Sequence, residues 1–366
     1  MAMRSVLRAG SGSALALVQE ASRCSLRVPR GALAGACPLR RSFCKAAEST
    51  GGTMTSTGMY NWRVAAVHNA LAKRGKAEGP LTVADLTSLG HLDQYHYLGV
   101  EACDEVIEIL GLDSTSKVLD VGSGIGGPAR YLAMKSGCDV TGVELQADLS
   151  DAAADLTARV GMASQVRFVT GDFVSVYRAQ EERLCGVKFD HFVSLLVFLH
   201  IPDRSSLLAA CYDALGPGGT FLIEDFALLT DSFTEKEALE LKSVVSANTV
   251  TSKADYIADL EAAGFVDIEV VDLTTPWTAW TKARHESYRA SRDQTVKDHG
   301  EKIFNDRVYF YEVIDSLFAG GNLGGVRITG RRRGQAEEKL HNGRRLAAAV
   351  TKSKAVLNEY GSTVGQ

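Results

Sequence analysis

Cysteine is sparse and scattered. Its seven positions, Cys24, Cys37, Cys44, Cys103, Cys138, Cys185 and Cys211, include no C-x-x-C pair. That spacing argues against a disulfide framework and a zinc site, and points to a reducing compartment. No run of apolar residues approaches the length of a membrane span, so no crossing helix is predicted. Acids are nearly missing from the first 45 residues, where eight Lys/Arg meet only Glu20. The remainder carries 32 basic and 43 acidic groups, a net charge of −11. A body that acidic lacks the basic footprint of nucleic-acid binding. Repeats are absent as well, while 45% hydrophobic residues in 366 suffice for one large domain.

What is present centres on Val118–Ala133, VLDVGSGIGGPARYLA. A β-branched run reads as a strand, glycines break it, and Pro128 opens a helix as a first-turn residue. Such a turn binds anions and cofactors, because glycines admit a ligand to the backbone and the helix start offers free N–H groups. Gly122, Gly124 and Gly127 fit the spacing G-x-G-x-x-G, so a dinucleotide is one reading. Asp120 favours another. A carboxylate two residues before the loop would repel a pyrophosphate but suits an ammonium or sulfonium. Glu144 closes a second predicted strand, 22 residues after Gly122, where a βαβ unit puts an acid under a ribose. Asp172 ends a third, beside Phe173, a pairing able to hold an adenine. The alternative for Asp120 is a carboxylate capping the Pro128 helix.

Taken in order, VLDVGSGIGG, VTGVEL, VTGDF and FDHFVSLLVFLHIPD resemble the class I S-adenosylmethionine-dependent methyltransferases, over roughly Leu92–Thr329. The resemblance implies an α/β, Rossmann-like, doubly wound seven-stranded sheet with one antiparallel edge strand. Asp267–Asp272 would be the sixth strand and Gly325–Thr329 the last. An N-terminal helical lid and a helical insertion before the last strand are expected to flank it. Asp120 and the Gly122–Gly126 loop, Ser123 and Gly124 included, would face the methionine part of the cofactor. Glu144, with Leu145 and Gln146 following, would serve the ribose, Asp172 and Phe173 the adenine. Gln94 and Leu195 complete the implied cofactor set. No metal is expected, and the partner is a small-molecule substrate; the oligomeric state stays open.

Leu92–Gly99, LDQYHYLG, resembles the D-Q-[FY]-H element of methyltransferases acting on sarcosine and dimethylglycine. It reads as a lid, with Tyr95 catalytic and His96 and Tyr97 on the substrate; an aromatic plug is the competing reading. His200 follows the fourth strand, at the reaction edge of such a sheet. Phosphoethanolamine methyltransferases resemble this stretch and carry a catalytic histidine at the matching position. Their partner aspartate falls where this chain has Leu196, which counts against that dyad and that substrate. His200 is then either a proton acceptor or a loop histidine bonded to backbone. In the insertion, Trp277 and Trp280 stand near Arg284, Arg289, Arg292, Arg307 and Tyr309. Aromatic faces hold an onium by cation–π attraction, and an arginine fork holds a carboxylate. Core packing is the competing reading for either tryptophan.

Domain boundaries follow from composition. Residues 1–45 read as an organelle transit peptide, mitochondrial or, as the alternative, chloroplast. Residues 46–58 form a Ser/Thr/Gly linker, 59–330 the catalytic domain, and 331–366 a basic, helical, solvated tail. Methyl transfer from a sulfonium is an in-line displacement that needs alignment and dryness more than a base. A small zwitterion is expected as acceptor, first an amine giving a betaine-type product. The alternative is a thioether acid such as 4-methylthio-2-hydroxybutyrate, on the way to a sulfonium osmolyte. A non-catalytic subunit of an organellar assembly is the reading from another class, and an NAD-dependent dehydrogenase the weakest one.

Overall fold

A computed structural model describes residues 62–181, 184 and 186–341. The segments expected as transit peptide and linker, most of the tail, and Cys24, Cys37, Cys44 and Cys185 lie outside the described residues. Ahead of the sheet come α1 (Trp62–Lys73), α2 (Val83–Thr87), a 3-10 turn at Gly90–Leu92 and α3 (Val100–Leu110). The chain then alternates through β1 (Lys117–Val121), α4 (Gly127–Ser136), β2 (Asp139–Glu144), α5 (Ala147–Arg159), β3 (Val166–Thr170), α6 (Phe173–Arg178) and β4 (Phe189–Leu195). A turn at Phe198–His200, α7 (Arg204–Ala214) and β5 (Leu215–Leu228) follow. Then come α8 (Glu235–Ser243), α9 (Lys253–Ala263), β6 (Val266–Asp272), α10 (Thr274–Ala290), α11 (Arg292–His299), α12 (Glu301–Ala319) and β7 (Leu323–Arg331).

The strand order is β3-β2-β1-β4-β5-β7-β6. The first five strands are parallel, and β7 runs antiparallel to both β5 and β6. The antiparallel strand is therefore not at the edge, as expected, but one place in; β6 takes the edge. Nine paired residues zip β7 onto β5, along Thr220–Leu228. Gly216–Gly219 lie at the start of the long β5, with a register shift against β4.

Central parallel strands are covered on both faces, and so read as nearly unbroken apolar runs. Leu119, Val121, Phe192 and Phe221 point into one buried layer, Val118, Val140 and Leu222 into the other. A third cluster, around Trp277, Phe226 and Phe318, joins the helical insertion to the sheet. In α1 the inward positions are Arg63, Ala66, Val67 and Leu71. Ala65 is exposed and Trp62 half-buried. The start of the tail is not a free appendage either. Arg331 bonds Asp267 and Glu337, and Arg332 bonds Glu338, which ties the helical residues 335–341 back to the sheet edge. Among the described residues no helix is long and apolar enough to cross a membrane.

Candidate active site

The strand order reverses between β1 and β4, and ligands of such sheets sit beyond the carboxyl ends at that point. A cavity of about 240 Å³ opens there. Its floor is the glycine loop. Gly122, at φ 82°, turns the chain so that its own N–H and that of Ser123 both donate to the Val143 carbonyl, at 2.9 and 3.1 Å. A Cβ on Gly122 would lie 2.4 Å from the Val197 side chain, so no larger residue fits. Gly122, Ser123 and Gly124 line the cavity. Gly126 does not; in left-handed conformation it starts α4 without any side-chain cap, so it is a turn residue rather than a contact.

Asp120 decides what the cavity can hold. Its side chain lines the cavity, the residue is 3% exposed, and Oδ2 has no hydrogen-bond partner. It caps no helix. Burial, and then the charge of Glu144, push its pKa up to about 7. A buried carboxylate oxygen without a partner is costly until a donor arrives. It fits a cationic ligand and repels a pyrophosphate.

Glu144 is buried beside it. Oε2 accepts from Gly124 N at 2.8 Å and Oε1 from Gln146 N at 2.9 Å. Burial raises its pKa, and the two N–H bonds oppose the rise. Those bonds hold the carboxylate level with the loop, where each oxygen keeps a lone pair for a hydroxyl. Asp172 caps α6 through Ser175 N at 2.9 Å and, with Phe173, lines the far end of the cavity. Leu145, Gln146 and Leu195 also line it. Gln94 does not, contrary to expectation. It is buried against Asp93 and Cys103, because its amide completes a polar chain behind the wall.

The opposite side is aromatic. Tyr95, Tyr97 and Trp280 line it with His91, Phe310 and Tyr311. Tyr97 and Trp280 lie 4.7 Å apart, and His91 stacks on Tyr95 at 4.3 Å. Leu92–Gly99 is thus a wall fastened from behind, part lid and part plug. His96 lines the cavity, but its Nε2 bonds the Gly99 carbonyl at 2.8 Å, and burial lowers its pKa to about 4. Trp277 does not reach the cavity. It is wholly buried against β7, where a Cβ on Gly325 would strike its ring. One side of α10 carries Trp277, Thr281 and His285 into the core, and Trp280 faces the cavity instead. Tyr309, 52% exposed, lies on the outer side of α12; Tyr311 takes the inner one.

His200 lines the cavity with Nδ1 on the Ser246 carbonyl at 2.9 Å, and burial lowers its pKa. In neutral imidazole that bond assigns the proton to Nδ1 and the lone pair to Nε2. Glu224, near the middle of β5, is fully buried and paired with Arg327. Arg63 and His91 line the cavity without having been singled out in the sequence, and Asp93 and Tyr311 had been noticed only as members of their segments. Arg284 was noticed only as one of several arginines. Of those, it alone lines the cavity; Arg292 pairs with Glu301 and Arg307 lies over Trp62.

Residues 119–223 match the family model described as a methyltransferase domain. That stretch runs from β1 into β5, and the likeness to this family is shown for those residues. The chain is 27% identical over 212 residues to phosphoethanolamine N-methyltransferase of Plasmodium falciparum, covering 56% of this chain and 74% of that enzyme. It spans only 40% of the wheat enzyme of the same name. Among solved structures, a sarcosine dimethylglycine methyltransferase of Galdieria sulphuraria, itself described as putative, superposes with a TM-score of 0.55 at 17% identity, over 64% of this chain and 84% of that one. Phosphoethanolamine N-methyltransferase 2 of Haemonchus contortus, bound to S-adenosylhomocysteine, gives 0.59 at 18%, over 73% and 60%. The seven-stranded sheet with flanking helices thus matches the expected fold, apart from the inner place of the antiparallel β7.

Proposed function

We propose that this chain is an S-adenosylmethionine-dependent methyltransferase acting on a small zwitterionic or carboxylate metabolite, and first of all an amine N-methyltransferase. The observation that carries the reading is the partnerless Asp120 oxygen at the end of β1. S-adenosylmethionine, when bound, supplies a methyl group on a sulfonium that is already a good leaving group. Asp120 would hold the cationic methionine end. Glu144 would accept from the ribose hydroxyls, and Asp172 with Phe173 would hold the adenine. The ring wall of Tyr95, Tyr97 and Trp280 would enclose an onium centre by cation–π attraction and exclude water. Arg284 would grip the acceptor's anionic group, since its Nε–H is buried in the wall without a partner.

His200 has no carboxylate four residues before it; Leu196 stands there, at φ 59°. Its lowered pKa makes it a weak base toward a protonated amine. That favours an acceptor needing no deprotonation, such as a tertiary amine. One observation supports the thioether acid as a second reading. His91 Nδ1 is also buried without a partner, on a residue that shares the wall with Arg284. A donor guanidinium beside an acceptor imidazole suits a carboxylate that carries a neighbouring hydroxyl.

A panel of sarcosine, dimethylglycine, phosphoethanolamine and 4-methylthio-2-hydroxybutyrate, read by labelled methyl transfer, tests both. Dimethylglycine is expected to outrun sarcosine, with turnover lost in Arg284→Met. Preference for the thioether acid would select the second reading, and turnover of phosphoethanolamine would refute the argument from Leu196. Residues 1–45 are proposed as a mitochondrial address. A fluorescent protein fused to residues 1–50 is expected in mitochondria; a chloroplast signal would select the other organelle, and a cytosolic one would end the claim.

A further inference from the structure

The turn Phe198–His200 gives the cavity one stretch of wall through Leu199 and His200, and residues 246–249, between α8 and α9, are bonded to it. The backbone is strained on both sides of this contact. Leu196, just before the turn, and Ser246 both stand at φ 59°, and both line the cavity. Side chains other than glycine persist in that conformation only where the surrounding structure fixes them. What fixes them lies beneath the turn. Asp225, on β5, is wholly buried and does not line the cavity. Its carboxylate accepts from the Leu199 N–H, from Phe226 N at 2.9 Å and from the Tyr256 hydroxyl at 3.1 Å. The Leu199 carbonyl accepts in turn from Asn248 N at 2.7 Å and Thr249 N at 3.0 Å. Thr249 Oγ1 donates to the Ile201 carbonyl at 3.0 Å, and Asn248 Nδ2 to that of His200 at 2.8 Å. The Thr249 carbonyl accepts from Arg204 Nη2 at 3.1 Å, and the Arg204 guanidinium lies 4.0 Å over the Tyr256 ring. Tyr256 leads back to Asp225, so the contacts close a ring through Asp225, Leu199, Thr249, Arg204 and Tyr256.

We propose that Asp225 is a positioning residue for the acceptor side of the cavity, holding the His200 turn and residues 246–249 at one spacing through this ring. His200 Nδ1 meets the Ser246 carbonyl only at that spacing, so the imidazole is oriented by a carboxylate it does not touch. Of the members of the ring, Asp225 is the one that receives most donors, and a buried carboxylate gathering several donors links elements that would otherwise slide independently. The use of this wall for an acceptor rests on the methyltransferase reading; the ring and its hold on His200 do not.

The competing role for Asp225 is stability alone. Nuclear magnetic resonance of the full chain with labelled histidine separates the two, with the His200 ring signals identified by their loss in His200→Gln. Asp225→Ala is expected to shift those signals and to move the titration of that ring up toward the ordinary histidine value, because a loosened turn admits water. Tyr256→Phe removes one bond of the ring and keeps the core filled. It should give the same shift in smaller measure, and it decides the question if Asp225→Ala does not fold. The double variant Asp93→Ala/Arg130→Met loosens the opposite wall and should leave the His200 signals in place. His200 signals unmoved in every folded ring variant, or moved as far by the double variant, would overturn the proposal. A second readout uses the fastest acceptor among sarcosine, dimethylglycine, phosphoethanolamine and 4-methylthio-2-hydroxybutyrate. Tyr256→Phe and Asp225→Ala should lower kcat/KM for it by up to on the order of 100-fold, the scale of a misplaced wall, with S-adenosylhomocysteine affinity kept within about threefold. Equal loss of acceptor and S-adenosylhomocysteine would mean general loosening and would also overturn it. A wild type that binds no S-adenosylhomocysteine and transfers no methyl group would remove the methyltransferase reading, whereas unmoved His200 signals with an active wild type would remove only the role of Asp225.

Discussion

Asp120→Asn will weaken S-adenosylmethionine binding at pH 8 by on the order of 100-fold, the scale of truncating a buried charge partner. The same change will make the cofactor-free protein more stable. Both effects come from one carboxyl group. Burial and Glu144 hold its pKa at about 7, against an ordinary aspartate value near 4 in the unfolded chain. The folded state thus holds the proton more tightly. Stability falls as pH rises through the window between those two values, and is constant above it. An asparagine has no such term, so the variant should melt higher than wild type at pH 8, with the gain vanishing near pH 4. Ligand affinity runs the other way. A cation binds the ionised form, so wild-type affinity should rise with pH and level off above about pH 7. Calorimetry in buffers of different ionisation heat should detect a proton released on binding at pH 6. A variant that binds as tightly as wild type at pH 8, or a wild type whose affinity is flat with pH, would remove Asp120 from the cofactor site.

Asp93→Ala is expected to destabilise the domain by about 3–5 kcal/mol in urea unfolding, because it leaves a buried guanidinium without its partner. Arg130 Nη2 donates to Asp93 Oδ1 at 2.8 Å, with the two side chains 1% and 3% exposed. Arg130 also bonds Thr157, and Asp93 Oδ2 accepts from Gln94 at 2.8 Å. From Gln94 the contacts run on through Cys103 to His96 and the Gly99 carbonyl. This chain fastens the Leu92–Gly99 wall to the helix that follows the glycine loop, so cofactor floor and aromatic wall move as one. The double variant Asp93→Ala/Arg130→Met should recover much of the loss, since it removes both charges. If the single change costs less than about 1 kcal/mol, within the range of an exposed pair, the pair is not structural. A functional readout accompanies it: the double variant should bind S-adenosylhomocysteine but lose acceptor affinity, because Tyr95 and Tyr97 are no longer held.

The loop and its acids were legible for local reasons. Strand, glycines and Pro128 are consecutive, and Glu144 and Asp172 stand at the ends of strands that their own β-branched runs announce. Backbone geometry then carries all three acids to one sheet edge. Gly126 and Gln94 were misjudged because position in a motif does not say which way a group points. Trp277 and Trp280 are the sharper case. Both sit in one turn of α10, and only the close approach of the Gly325 backbone decides which ring is core and which is wall.

By itself, the order of residues determined the alternation of strands and helices, the crevice at the strand ends and the anionic character of its floor. These follow from period, turn chemistry and charge, all of which act within a few residues. Tertiary structure alone decided that β7 lies inside the sheet, that Arg63 and Asp93 are buried, and that His91 and Tyr311 join Trp280 and Arg284 in lining one cavity. Those facts depend on pairings between segments as much as two hundred residues apart. A side chain's partner at that range is set by which faces pack together, and no local pattern records it.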